Sequence, residues 1–349
     1  MVKLKTRLFL IFKACPDGFL CWIFPVLSLL TFVFSWAALY PSGLVERSYS
    51  RTIFPRISQM AGRFADLVTF SWLDLLIPAA AVLLVSLIRR RRWWIILNAT
   101  SVFYLIFFWT WGLNYHRKPL NSKLQMDSTR MQPQAMTEFA THAVAELNRL
   151  YREKQKATYD EARTREEAVR RVQRVVALID RTDWDGPRRI KISKVGNPWL
   201  HAAGIDGVFN PFPQEPVISD TVLDVERPFV ISHELAHVRG YPDEGDANVI
   251  ATFATLMSDN PAFQYSGWLN LWLYLRTLDL EKRLDPGPRE DVQRVFERAR
   301  REQIRWVSDL QQVILDWFLK ANSVEEGVRS YSRVVLLASA TEPFWDLYR

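Results

Sequence analysis

Two histidines and a glutamate in the stretch SHELAHVRGYPDEGDAN, residues 232–248, have the residue types and spacing of a zinc site. His233 and His237 lie four residues apart, about one helical turn, so both imidazoles can project from one face of a helix and bind one metal ion. Glu234 lies beside that face, where a carboxylate can act as a general base. The stretch therefore predicts one bound Zn²⁺ ion, with His233 and His237 as ligands and Glu234 as the catalytic residue.

Three carboxylates that follow the second histidine are candidates for the third metal ligand. Asp243 has the spacing of the HExxHxxGxxD pattern, but it also precedes a predicted helix as an N-cap residue would. Glu244 lies in the first turn of that helix and has a longer reach than aspartate. Asp246 points about 200° around the helix from Glu244, so both cannot readily face one ion.

Several further polar residues are candidates for supporting roles. Asn248 stands one turn after Glu244 and could hydrogen-bond a ligand histidine, although it could equally be a helix-packing residue. Hydrolysis of this kind usually needs a donor to the developing oxyanion. Tyr265, Tyr331 and His201 are the candidate donors, and each has an ordinary structural role as its alternative.

The residues around the two histidines fit a helix whose face opposite the histidines is buried. Ile231, Leu235 and Val238 point away from the histidines and form an apolar stripe. Pro228 suits the first turn of this helix, and Gly240 suits the left-handed residue that ends it. The histidines are thereby expected to face a cleft.

The remainder of the C-terminal part reads as mainly helical. Apolar residues recur at three- and four-residue spacing in residues 136–155 and 164–180, and again in residues 288–320. Residues 188–219 instead contain short apolar runs, glycines and prolines, which predict short strands and turns. Within them, HAAGIDGVFNPF is either an edge strand that pairs with an extended substrate or an ordinary hairpin. The predicted fold is mainly α with a small β layer.

Three apolar segments precede this region. With 49% hydrophobic residues, 14 Trp and 21 Phe, the chain carries more apolar surface than a soluble domain usually needs. Residues 18–45, 67–88 and 93–115 each have the length of a transmembrane helix. The first is longer than a signal peptide's apolar region, so it is expected to stay as an anchor. Residues 1–115 are thus predicted to be a membrane anchor with three transmembrane helices, and residues 116–349 a separate domain.

The distribution of cations predicts the orientation in the membrane. The basic N-terminal tail and the cluster Arg89, Arg90, Arg91 and Arg92 are separated by two predicted spans, so both can be cytoplasmic. The C-terminal domain is then extracytoplasmic. It contains no cysteine, which excludes a thiolate metal site and a cysteine nucleophile there. No nucleotide- or nucleic-acid-binding signature accompanies the net charge of +7, and no nucleic-acid partner is expected.

The motif HELAHVRGYPDEGDAN, with WGLNYHRKPL, AGIDGVFNPF, YSGW and the three apolar segments, resembles a bacterial family of membrane proteins classed as a domain of unknown function. Members of that family look like zinc metallopeptidases of the glutamate-liganded zincin type. The resemblance implies a zincin-like α+β fold and Glu244 as the third ligand. The family pattern is closer to ExEAN, and this chain has Asp246 at the second acidic position, which argues against an essential role for Asp246.

The resulting expectation is a multi-pass protein of the bacterial inner membrane that hydrolyses an extracytoplasmic peptide or cell-envelope amide bond. Three protein ligands leave a fourth zinc position for the water that the ion activates. The expected partners are the lipid bilayer and a peptide or protein substrate in the cell envelope. The alternative is a non-catalytic envelope scaffold or sensor, in which a structural metal site stabilises the fold.

Overall fold

A computed structural model describes residues 21–155, 159–182, 186, 189–321 and 333–341. Over these residues the chain is mainly helical and has one small two-stranded sheet, as the sequence predicts. The elements up to residue 116 are α1 (Ile23–Trp36), a helical turn (Ser42–Leu44), a π-helix (Val45–Ile53), α2 (Phe54–Ala65), α3 (Leu73–Arg89), α4 (Trp93–Thr110) and a 3₁₀ turn (Gly112–His116).

Among the described residues, α4 alone is both long enough and apolar enough to cross a membrane, judged by length and composition. Helix α1 is apolar but has 14 residues, and α3 has 17. Large apolar side chains on all three helices are exposed, among them Leu29, Val82 and Phe103. The helix α4 is consistent with membrane anchoring, whereas the three-span arrangement and its orientation stay predictions.

The elements after residue 116 form the rest of the helical structure. They are two 3₁₀ turns (Leu120–Lys123 and Ser128–Met131), α5 (Pro133–Lys154), α6 (Glu161–Asp180), α7 (Asn197–Ala203), β1 (Gly207–Asn210), β2 (Glu215–Ile218), α8 (Arg227–Val238), α9 (Glu244–Leu256), α10 (Pro261–Leu275), α11 (Leu278–Glu281), α12 (Pro286–Glu302), α13 (Arg305–Ala321) and α14 (Arg333–Ala340).

Helices α5 and α6 confirm the periodicity of residues 136–155 and 164–180. The region predicted as strands and turns differs in one respect, because it also contains α7. Pro198 occupies the first turn of α7, and Gly204 follows its end with a left-handed φ of +69°. Proline and glycine at these two positions are helix start and stop signals, so a short helix forms just before β1.

Strands β1 and β2 form an antiparallel hairpin, with Gly207 opposite Ile218 and Asn210 opposite Glu215. Lys191 forms an isolated parallel bridge to Val217 on β2. In the described part of the chain β1 pairs with β2 alone, so its other edge offers backbone groups for a further strand.

Helices α8 and α9 lie side by side in the core. Ile231, Leu235 and Val238 of α8 are buried, which confirms the predicted apolar back of this helix. Val249 and Phe253 of α9 are fully buried as well. This packing fixes the two helices against each other and therefore sets the positions of the side chains on their opposite faces.

A buried cluster of charges joins residues on both sides of position 116. The Arg117 guanidinium contacts Glu46, with Nη2 3.1 Å from Oε1, and Asp180, with Nη2 2.7 Å from Oδ2. Lys123 Nζ lies 2.6 Å from Glu46 Oε1 and 3.0 Å from Asp180 Oδ1. Arg117 also donates to the carbonyl oxygen of Gly240 at 2.7 Å. The cluster thus connects the π-helix, the end of α6 and the turn after α8.

We expect Arg117→Ala to lower the free energy of unfolding by about 3–5 kcal/mol, because it leaves Glu46 and Asp180 buried with only part of their compensating charge. Arg163→Ala is the control, since the Arg163 side chain is 87% exposed and pairs with Asp160 at 3.4 Å; an exposed pair contributes roughly 0–1 kcal/mol. Chemical unfolding of the detergent-solubilised chain measures both changes. Equal losses in the two variants would show that the buried cluster contributes nothing beyond a surface pair.

Candidate metal centre

Local sequence signals mark the ends of the two helices that carry the candidate metal ligands. Pro228 lies in the first turn of α8, and the chain leaves this helix through Gly240, whose φ is +78°. Both positions agree with the sequence-based expectation. A Cβ on Gly240 would come within 2.7 Å of the Phe54 ring, so both the backbone angle and the packing favour glycine. The short turn that follows brings α9 back beside α8.

Three side chains from these helices converge on one point. His233 Nε2 and His237 Nε2 are 3.1 Å apart. Glu244 Oε2 lies 3.1 Å from His233 Nε2 and 3.6 Å from His237 Nε2. Among the described residues these three form a group whose ligand atoms all lie within 4.8 Å of one another.

The other ring nitrogen of each histidine has its own hydrogen-bond partner. His233 Nδ1 lies 2.8 Å from Asn248 Oδ1, and His237 Nδ1 lies 2.7 Å from the carbonyl oxygen of Tyr241. Such partners hold the ring in place and favour the tautomer whose Nε2 lone pair can bind a metal. Asn248 therefore lies where the sequence predicted a residue that supports a ligand histidine.

Electrostatics inside this group favour a charged Glu244. Burial by itself would raise the pKa of this carboxyl, but the adjacent His237 and His233 outweigh burial and lower it well below its ordinary value. Burial would likewise lower the pKa of His237, whereas the Glu244 carboxylate raises it to about 9 in the metal-free chain. A cation at the point of convergence would take the place of the proton that these groups share.

Glu234 is buried beside the three convergent groups, and burial raises the pKa of its carboxyl to about 7. Its Oε2 atom has no hydrogen-bond partner among the described residues. Gly207 of β1 lies directly against this side chain, because a Cβ on Gly207 would come within 2.5 Å of Glu234 Oε1. The backbone of β1 thus limits where the carboxylate of Glu234 can lie.

A cavity of about 470 Å³ opens onto this group. His233, Glu234, His237, Glu244 and Asn248 form its polar floor. Strand β1 lines one side, and the helices α4, α10 and α13 and the 3₁₀ turn Gly112–His116 contribute further walls. The wall residues from these elements include Phe107, Trp111, Tyr115, Tyr274, Gln311, Leu315 and Phe318.

The arrangement fits a zinc ion. Ligand atoms about 2.0–2.1 Å from a tetrahedral zinc lie roughly 3.3 Å from one another, close to the separations of 3.1, 3.1 and 3.6 Å found here. Two imidazoles and one carboxylate, with an open side toward a cavity, resemble the ligand sets of catalytic zinc sites more than those of structural ones. His233, His237 and Glu244 are the residues that would hold the ion.

The two other carboxylates lie elsewhere. Asp243 is the N-cap of α9, and its Oδ1 accepts a hydrogen bond from the Asp246 backbone N–H at 2.9 Å. Asp246 is buried, and its Oδ2 accepts from the backbone N–H of Leu120 at 3.3 Å. Neither belongs to the convergent group.

Two of the residues predicted as oxyanion donors, Tyr265 and His201, do not line the cavity. Tyr265 donates its hydroxyl hydrogen to Asp291 Oδ2 at 2.9 Å, and His201 Nε2 lies 2.8 Å from Asp220 Oδ1. Burial raises the pKa of the Tyr265 hydroxyl, and Asp291 raises it further. Tyr331 lies outside the described residues.

Several cavity residues are not identifiable from the sequence, among them Gly207, Trp111, Tyr115 and Tyr274. In the sequence, Gly207 belongs to a predicted hairpin, and Trp111 and Tyr115 belong to a predicted membrane span. Tyr274 lies in an apolar run that contains no motif. The Trp111 indole donates to the carbonyl oxygen of His237 at 3.1 Å. Residues 111–115 are rich in aromatic side chains, but nothing in this short segment indicates contact with residues more than a hundred positions away.

Comparison with known proteins identifies a family without an assigned activity. The sequence model of the family described as "Protein of unknown function (DUF3810)" matches residues 49–338. No curated protein matches the chain, and no solved structure matches it. Because the match covers most of the chain, the protein belongs to this family.

Proposed function

We propose that this member of the DUF3810 family is a membrane-anchored, zinc-dependent peptidase that hydrolyses an extracytoplasmic peptide or cell-envelope amide bond. The observation that carries the proposal is the convergence of His233, His237 and Glu244 beside Glu234, a buried residue that lines the same cavity and has one carboxylate oxygen without a hydrogen-bond partner among the described residues. A metal site that served folding alone would have no need of such a carboxylate or of an open cavity.

Each side chain then has a defined part in hydrolysis. When bound by these ligands, zinc would supply a Lewis acid that activates water near neutral pH and polarises the scissile carbonyl. Glu234 would accept the proton of the attacking water on Oε2 and deliver it to the leaving amine. Asn248 and the Tyr241 carbonyl would hold the two histidine rings in their binding orientation.

Strand β1 is the proposed site of substrate binding. Gly207, Val208 and Phe209 line the cavity, and the edge of β1 opposite β2 offers backbone N–H and C=O groups. An extended peptide could add there as a further strand and present its amide bond to the polar floor. We therefore propose that HAAGIDGVFNPF is part of a hairpin whose outer edge also binds substrate.

Two tyrosines replace the earlier candidates for oxyanion stabilisation. Tyr115 and Tyr274 both line the cavity, and the Glu244 carboxylate lies close enough to raise the pKa of each after the larger effect of burial. A phenol that remains protonated can donate to a developing oxyanion. Tyr115 and Tyr274 are therefore the proposed donors, and neither Tyr265 nor His201 is.

Gly207→Ala is expected to lower kcat about 100-fold while zinc binding is retained, because the added methyl would push the Glu234 carboxylate away, and misplacing a reacting group by about 1 Å can cost that much. Gly43→Ala is the control, since its Cβ would meet only the Lys118 side chain, at 3.7 Å. Turnover and zinc content are measured on both variants. Normal turnover in Gly207→Ala would contradict the proposed position of the base.

The alternative of a non-catalytic scaffold or sensor predicts bound metal without turnover. Metal analysis of the purified full-length protein, together with cleavage profiling on a broad peptide library, separates the two functions. Stoichiometric zinc with cleavage that a chelator removes supports the peptidase. Zinc without any cleavage favours the scaffold, and absence of zinc contradicts both.

Membrane anchoring completes the proposal, with residues 1–115 as the anchor and residues 116–349 as an extracytoplasmic domain of a bacterial inner-membrane protein. The exposed apolar surfaces of α1, α3 and α4 support lipid contact. The contacts of Arg117 with Glu46 and of Trp111 with His237 cross the proposed boundary. The anchor and the domain are therefore expected to fold together.

The orientation has a direct test. A phosphatase that is active only after export, fused after Tyr115, is expected to be active, because the cationic segments on either side of the first two predicted spans favour the cytoplasm. A fusion after Arg92 is the control and should be inactive. Activity of a cytoplasmic reporter, and not of the phosphatase, after Tyr115 would reverse the proposed orientation.

A further inference from the structure

Helix α13 carries a stripe of exposed apolar side chains that no described element covers. Trp306, Leu310, Val313 and Trp317 recur at spacings of four, three and four residues, so they share one face of the helix. Each is 51–69% exposed, as is the adjacent Ile314. Two tryptophans exposed to this degree on one helix face are unusual for a surface in contact with water.

The other two sides of α13 face the cavity and the solvent. Gln311, Leu315 and Phe318 point inward and line the cavity of the metal centre. The third side is polar, with the exposed residues Asp309 and Gln312. The apolar stripe is therefore a separate surface, adjacent to the inward side and distinct from the polar one.

Helix α13 and the β1–β2 hairpin both contact the apolar helix α4. The Phe318 ring lies 6.1 Å from the ring of Phe107, near the end of α4. In the β1–β2 hairpin, the Phe212 ring lies 3.9 Å from Phe103, which is seven residues before Thr110 and so about 10 Å along the helix from its end. Both contacts bring the C-terminal part of the chain alongside the last turns of α4.

The start of α3 also contacts the C-terminal part of the chain. Asp74, in the first turn of α3, accepts hydrogen bonds from Ser193 Oγ at 2.7 Å and from the Val195 backbone N–H at 2.9 Å. The segment from Ser193 leads into α7, where Trp199 is 45% exposed. Helix α7 is joined to the segment before α13 by the Ile304 N–H, which donates to the Ala202 carbonyl at 2.9 Å.

We propose that α13 lies in the outer interface of the bilayer, with Trp306, Leu310, Val313, Ile314 and Trp317 in contact with lipid. The inference rests on the membrane anchoring in the proposed function. An amphipathic helix with large aromatic and aliphatic residues on one face and charges on another binds in this way, and tryptophan prefers the membrane–water interface. The polar side carries both acidic and basic residues, including Asp309, Asp316 and Lys320, so zwitterionic lipid is sufficient.

This placement gives α13 two roles at once. One side of the helix contacts lipid and the next side forms a wall of the metal cavity, so the cavity opens at the membrane surface. A substrate would then reach His233, His237 and Glu234 from the interface, where a segment close to its own membrane anchor can extend along β1.

The test uses spin labels on the full-length chain in phosphatidylcholine vesicles. Cys15 and Cys21 are first changed to serine, and single cysteines are introduced by Leu310→Cys, Val313→Cys, Asp309→Cys and Gln312→Cys. The last two are matched controls on the polar side of the same helix. Accessibility to oxygen, which concentrates in lipid, is compared with accessibility to a water-soluble nickel complex at each position.

We expect oxygen to dominate at residues 310 and 313 and the nickel complex to dominate at residues 309 and 312, so that the logarithm of their ratio changes sign three times between residues 309 and 313. Nickel accessibility at all four positions would overturn the proposal in favour of a water-exposed helix. Exclusion of both reagents at residues 310 and 313 would also overturn it, because protein and not lipid would cover the stripe.

Zinc content and peptide cleavage are measured on the same samples. If the accessibility pattern fails while zinc binding and cleavage are intact, the proposal of an interfacial helix is contradicted and that of a peptidase stands. If the expected pattern is found in a protein that binds no zinc, the proposal of a peptidase is contradicted and that of an interfacial helix stands.

Discussion

Glu234→Gln is expected to lower kcat/KM by about 10²–10⁴-fold, because it removes the group that would accept the proton of the attacking water and alters no metal ligand. Glutamine keeps the size of the side chain, and so the contact with Gly207 is preserved. The zinc content should equal that of the unaltered protein. The measurement is the cleavage rate of the best substrate from the peptide library, together with elemental analysis of the purified protein.

Glu290→Gln is the matched control for this experiment. Glu290 is exposed on α12 and does not line the cavity, so the same chemical change there should leave cleavage unaltered. Unchanged turnover in Glu234→Gln would exclude Glu234 as the base. Loss of zinc from that variant would indicate that Glu234 holds the metal rather than the proton.

Glu244→Ala is expected to weaken zinc binding by roughly 10²–10³-fold, since the affinity of about 10–16 kcal/mol of a four-ligand structural zinc site corresponds to roughly 2.5–4 kcal/mol for each ligand. The histidine nitrogens would remain, but the carboxylate 3.1 Å from His233 Nε2 would be absent. Competition with a chelator of known affinity measures the change. Cleavage at limiting zinc should fall in parallel.

The matched variant is Asp243→Ala, one residue earlier. Asp243 caps α9 through the Asp246 N–H, so its loss should cost about 1 kcal/mol of helix stability and leave zinc affinity close to normal. The reverse order of zinc affinities in the two variants would assign the third ligand to Asp243 and contradict the Glu244 assignment.

The local part of the site follows from the sequence. His233 and His237 share a helix face because the α-helix repeats every 3.6 residues, and the apolar residues Ile231, Leu235 and Val238 determine which face is buried. Pro228 and Gly240 mark the ends of this helix by their own backbone preferences. These properties depend on neighbours within a few positions, so a single sequence contains them.

The assignment of the third metal ligand among the acidic residues depends only partly on local sequence. The N-cap position of Asp243 could be predicted, because it depends on the adjacent helix start. The approach of Glu244 to both histidines depends on how the turn after Gly240 folds back α9 against α8.

The segment containing α7 was predicted wrongly although the local signals were present. Its helix start and stop signals can be read from the sequence, but the short apolar runs, glycines and prolines around them favoured strands and turns.

The remaining features of the site come from the tertiary structure. The Gly207 backbone touches Glu234 from a different element, and Trp111 and Tyr115 reach the cavity from the far end of α4. Tyr265 and His201 had suitable chemistry, yet their partners Asp291 and Asp220 hold them elsewhere. Contacts between residues distant in sequence are set by the packing of whole elements against one another, and no periodicity or spacing within one segment encodes that packing.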